Sequence, residues 1–117
     1  KRQSIVGADP FTTHGNLLLD IHSGTFSNNL ALQLSDFNAT GTLGTSQEHF
    51  IPLTSSWYTA QFNSANLRFI NRYGLTQFRL LFTLDDNDDL GADYIKFFSG
   101  NSVDANRPKL VITYFVP

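Results

Sequence analysis

Residues 76–84 read Thr76-Gln77-Phe78-Arg79-Leu80-Leu81-Phe82-Thr83-Leu84, and this stretch decides the fold. Phe78, Leu80 and Phe82 fall on one side of a two-residue period, against Gln77, Arg79, Leu81 and Thr83 on the other. That spacing is the side-chain period of a half-buried strand, not of a helix. The same period recurs upstream in residues 16–22, where Leu17, Leu19 and Ile21 alternate with Leu18, Asp20 and His22. Leu30 to Phe37 alternates again through Leu30, Leu32 and Leu34, predicting a further strand. Working outward, strands are expected at Gln3 to Val6, around Phe50, Ile51 and Leu53, at Trp57 to Phe62, at Tyr94 to Ser99 and at Leu110 to Val116. Pro108 opens the last of these, where a missing N–H is tolerated.

Turn residues punctuate these runs: Gly7-Ala8-Asp9-Pro10, Ser23-Gly24-Thr25, Ser27-Asn28-Asn29 and the Gly- and Thr-rich stretch from Asn38 to Ser46. One segment carries helix signals, Ser64 to Tyr73. Ser64 stands as a possible N-cap, Leu67 and Ile70 as an apolar stripe, and Gly74 as the stop. Short strands with no helices to cover a parallel sheet predict an all-β protein. The expected fold is an antiparallel β-sandwich or jelly roll with at most one short helix. The 117 residues hold no internal repeat and read as one module, 1–117.

Composition narrows the function. Aromatic residues make up 14% of the chain, eleven of them Phe, which favours pleated surfaces. Charged residues are sparse at 15%, the net charge is −2, and Lys and Arg are scattered singly. A phosphate-binding footprint needs clustered positive charge, so a nucleic-acid partner is excluded as an expectation. No apolar run approaches the roughly 18 residues of a membrane span, so membrane insertion is not expected. Cys and Met are absent while Asn, Ser and Thr abound, a balance that points to a secreted, extracellular or cell-surface module. Nothing resembling a signal opens at Lys1-Arg2-Gln3, so a signal is expected to have been removed or to belong to a longer precursor.

Few residues offer chemistry. The run Asp85-Asp86-Asn87-Asp88-Asp89, followed by Asp93, is the one dense cluster of hard oxygen atoms. Asp85, Asn87, Asp89 and Asp93 are the candidate ligands for calcium, which takes six to eight oxygens from flexible loops. The glycine stands at position 91, late for an EF-hand turn, and no Glu closes the loop. The other reading is a solvated loop built of Asx-turns. His14, His22 and His49 have no His partner at close helical or strand spacing, as a zinc site would favour. No G-x-S-x-G elbow and no Cys nucleophile is present, so no enzyme is expected. Aromatic rings stack on sugar faces, which makes Trp57 and Tyr58 candidate platforms, with Tyr73 and Tyr94 behind them. Gln61 and Arg79 are the polar neighbours that would fix sugar hydroxyls. Asn38-Ala39-Thr40 is a glycosylation sequon in an expected loop.

The run TQFRLLFTLDDNDDLGADYIKFFSG and the closing NRPKLVITYFVP resemble the end of DNRLRE-type β-sandwich domains, which are grouped with family 96 carbohydrate-binding modules. The elements that carry the likeness are Phe97-Phe98-Ser99-Gly100, then Asn106-Arg107-Pro108, then Leu110, Ile112 and Tyr114. The stretch DPFTTHGNLLLDIHSGTF is similar to one branch of the same domains. The resemblance implies a sandwich that tethers its parent protein to a polysaccharide or cell-envelope component. Domains of this kind open with further strands before the equivalent of Lys1, so the likeness also implies a sandwich lacking its first strands. Unpaired edges left by that gap would accept a complementing strand or copies of the same chain, building a filament or surface layer. A trimmed module that closes on itself is the other reading.

Overall fold

The computed structural model describes residues 1–42, 48–52 and 54–116. The chain is mainly β, with short antiparallel strands in three small sheets. These are β3-β2-β6, β1-β7 and β4-β5, where β1 is Arg2–Gly7, β2 Leu17–Ser23, β3 Glu48–His49, β4 Ile51–Pro52, β5 Tyr58–Thr59, β6 Thr76–Phe82 and β7 Asp93–Phe97.

The two strongest alternating runs pair with each other. β2 and β6 are antiparallel and in register from Leu17 opposite Phe82 to Ser23 opposite Thr76. Around them sits the core, Leu17, Leu18, Leu19, Ile21 and Phe26. Every residue of β2 from Leu17 to Ile21 is buried, so this strand is covered on both faces. A near-continuous apolar run suits that position better than strict alternation. Its hydrogen bonds continue past the strand ends: Thr83 N–H donates to the Asn16 carbonyl and Leu84 N–H to the His14 carbonyl, each at 3.0 Å.

Among the described residues two short α-helices are present, one more than expected: α1, Pro10–Thr13, and α2, Leu34–Asn38. α1 is set by local chemistry. Asp9 caps it by accepting from Phe11 N–H at 3.0 Å, and Pro10 supplies the fixed φ of a first turn. The turn carries Phe11 into the molecule, where its ring stacks on Tyr58 at 5.2 Å and meets Phe82 edge-on at 5.4 Å.

Four strand or helix expectations are corrected. Leu30 to Phe37 is not a strand, because a capping box wins locally. The Asp36 carboxylate accepts from Gln33 N–H at 2.8 Å while the Gln33 side chain satisfies the Asp36 N–H, starting α2. The Ser64–Tyr73 helix shrinks to a 3-10 turn, Asn66–Phe69, flanked by Ala65 and ended at Ile70, not by Ser64 and Gly74. Asn63 holds its start, taking the Asn66 N–H on both its carbonyl and its side-chain oxygen. Of Trp57 to Phe62 only Tyr58–Thr59 is strand: continuing it through Ala60 and Gln61 would need Phe50 and His49 opposite, and these are committed to β2, Phe50 N–H donating to the Leu17 carbonyl and His49 pairing with Leu18. Leu110 to Val116 belongs to no ladder and to no helix or turn. Leu53 lies outside the described residues.

Candidate functional site

β6 is paired with β2 along one edge and, among the described residues, with no strand along the other. Among the described residues β7 is paired with β1 alone. A groove follows the open edge of β6. Its first part, about 350 Å³, is bounded by Gln77, Phe78, Arg79 and Leu80 and closed opposite by Leu30, Leu32 and Phe37. Its second part, about 500 Å³, runs on past Leu81, Phe82, Thr83, Leu84 and Asp85 and is closed by Asp93, Tyr94 and Ile95 of β7. The two parts share Phe37, Arg79 and Leu80 as walls. Consecutive strand residues point to opposite faces. A cavity that meets them all in sequence therefore lies against the strand's edge, where backbone N–H and C=O groups are on offer. Much of its lining is apolar and half-exposed: Phe78, Leu80, Leu84 and Tyr94 keep 39–47% of their surface in solvent.

The floor of the groove is pinned by a buried ion pair. Asp20 and Arg79 face each other across the β2–β6 register, with the Arg79 Nη2 donating to the Asp20 carboxylate at 2.7 Å. Arg79 Nη1 donates to three carbonyls at the end of α2, those of Asp36 at 2.7 Å, Phe37 at 3.2 Å and Ala39 at 2.7 Å. The guanidinium also stands 4.6 Å over the Phe26 ring. A cation suits a helix C-terminus, whose last carbonyls are unsatisfied. Gly41 lies against the same carboxylate, close enough that any Cβ there would overlap it. Asp20 inside Leu-Leu-Leu-Asp-Ile is the one sequence signal for this pair, a lone charge in an apolar run.

The four residues proposed for sugars have separate environments. Trp57 is half-buried, with the Lys109 and Lys1 ammonium groups 5.4 and 6.0 Å from its ring centroid. Tyr58 is packed between Phe11 and Phe97 and accepts from Arg2 Nη1 at 3.3 Å. Gln61 is exposed. Arg79 is committed to Asp20 and the α2 carbonyls. Asn38, the sequon residue, is exposed at the last position of α2 rather than in a loop.

In the acidic loop the side chains bind one another. Asn87 Nδ2 donates to Asp89 at 2.9 Å and to Asp93 at 3.1 Å, while Asp89 accepts the Gly91 N–H at 2.6 Å and Asp86 that of Asp88 at 2.9 Å. Asp93 also accepts the Ala8 N–H at 3.1 Å and stands 4.0 Å from His14 Nδ1. So Asn87, Asp89 and Asp93 are brought together, with Asp85 on the groove wall. Among the described residues no group of three or more His, Asp or Glu is placed to hold a metal ion. No helix among them is long and apolar enough to cross a membrane.

Segment 110–116 completes the picture. Leu110, Val111, Ile112, Tyr114, Phe115 and Val116 expose 61–96% of their surface, although an apolar run broken only by Thr113 is the pattern of a strand covered on both faces. Comparison with protein-family models, with curated proteins and with solved structures finds no match to this chain.

Proposed function

We propose that this chain is a non-catalytic extracellular structural subunit that assembles with copies of itself by strand pairing along open sheet edges, forming a filament or surface layer. The carrying observation is segment 110–116, a strand by pattern whose apolar side chains stand in solvent with no ladder. Its surface balance supports the reading. A folded monomer of 13.1 kDa exposes about 6,400 Å². This chain exposes 8512 Å². The excess, on the order of 2,000 Å², lies within what one partner buries in an obligate interface. Apolar groups drive that burial at roughly 25 cal/mol per Å². The β-sandwich expected from the sequence is then the form of the assembled chain, in which an added strand ties its small sheets together.

Polysaccharide binding is the rival. Of its four residues, Tyr58 and Arg79 already have packing or charge partners, which leaves Trp57 and Gln61 to act. Deleting residues 110–117 separates the readings, since that segment contributes little to the folded body. Strand assembly predicts that light scattering finds multimers of the intact chain and single chains of the truncated one. If instead both are monomers, and both are retained by a polysaccharide that releases Trp57→Ala, sugar binding replaces assembly.

A further inference from the structure

We infer that the groove along the open edge of β6 receives residues 110–116 of a second copy, running antiparallel to β6. This rests on the assembly reading above and names its acceptor. Three observations carry it.

The first is pattern. With Lys109 opposite Asp85, an antiparallel strand sets Leu110 opposite Leu84, Ile112 opposite Phe82, Tyr114 opposite Leu80 and Val116 opposite Phe78. Each of these pairs is apolar on both sides, and directly opposed side chains of an antiparallel pair are the contacts that stabilise a sheet. The remaining pairs set Val111, Thr113 and Phe115 against Thr83, Leu81 and Arg79, and a slip by one residue either way lowers the apolar pairs from four to three.

The second is charge. Segment 110–116 is uncharged and is preceded directly by Lys109, while Arg107 is paired with Asp104 at 2.7 Å. The groove ends at Asp85, three residues past β6, and at Asp93, where β7 begins. Opposite charges therefore meet only when the segment enters at that end, which fixes its direction.

The third is reach, which selects a second copy over the chain's own segment. Lys109 stands over Trp57, Lys1 Nζ holds the Asn106 side chain at 2.9 Å, and Phe98 N–H donates to the Lys1 carbonyl. This cluster sits where β7 ends, at Phe97. The entry point lies where β7 begins, at Asp93, about 13 Å away along the strand. The chain's own segment thus starts at the wrong end of its own groove, whereas a neighbour brings its Lys109 to the Asp93 end. Filling the groove also explains why β6 and β7, consecutive in the chain, are joined by residues 83–92 and not by a tight hairpin.

Amide exchange on the unmodified chain over a concentration series tests the site. Protection should rise with concentration at residues 77–84, at 93–95 and at 110–116 together, and stay flat at 51–52 and 58–59. The absence of native Cys allows a second, directional test: mixing a Leu81→Cys chain with a Thr113→Cys chain under mild oxidation should give a linked pair. A Thr59→Cys chain mixed with Thr113→Cys should not link. Association with protection confined to 51–52 and 58–59, or a link to position 59 alone, overturns the groove while leaving self-assembly standing. No association at any concentration overturns both. A link formed within a single chain carrying Leu81→Cys and Thr113→Cys, at high dilution, shows the groove closed by the chain's own segment and overturns the second-copy occupant.

Discussion

The Arg79 guanidinium makes four donations around a carboxylate whose side chain is 1% exposed, so the cost of removing it is set by what it leaves behind. Arg79→Ala strands the Asp20 charge in the interior, which typically costs about 3–5 kcal/mol. For a domain of this size that lowers the melting midpoint by more than 10 °C, read by calorimetry. Arg79→Lys should recover only part of the loss, because one ammonium cannot span the carboxylate and three carbonyls. A second residue stores strain where nothing requires it. Leu90 has φ +57° and is fully exposed in the acidic loop, a conformation costing a side chain about 1–2 kcal/mol. Leu90→Gly is therefore expected to raise the midpoint by a few degrees, and an unchanged or lower melt would refute the strain. Sequence pattern singled out Arg79, yet as a sugar contact. Its pairing with Asp20 depends on the β2–β6 register, which alternation alone does not specify.

At the scale of elements, the long alternators were legible and the short ones were not. β2 and β6 follow from period two because each has a partner long enough to complete a ladder. Leu30 to Phe37 carries the same period, but Gln33 and Asp36 satisfy each other's backbone within four residues and no strand is needed. Patterning reports which side chains want burial, and it says nothing about whether a neighbour exists to bury them. The same holds for 110–116, an apolar run broken only by Thr113 that joins no ladder. The acidic loop between β6 and β7 makes its own prediction. Asn87 supplies N–H donors to Asp89 and Asp93, which ties the loop's side chains to one another. Asn87→Ala should cost about 1 kcal/mol, and excess chelator should leave the wild-type melt unchanged. A midpoint that drops in chelator would instead assign the loop to calcium.

Taken whole, the molecule is larger than its mass warrants. Its radius of gyration is 15.2 Å, against about 13.4 Å for a compact chain of 117 residues. Among the described residues five apolar side chains form the core, while large apolar side chains line the β6 groove and segment 110–116. Mainly β architecture was readable from the sequence; the incomplete burial was not, because composition counts apolar residues without saying where they end up. Exposed apolar surface of this extent is the usual mark of an interaction site. The most direct measurement is the molar mass of the intact chain by light scattering across a dilution series. Strand exchange between copies predicts dimers or longer multimers that dissociate towards 13.1 kDa as the chain is diluted. A mass of 13.1 kDa at every concentration would contradict it.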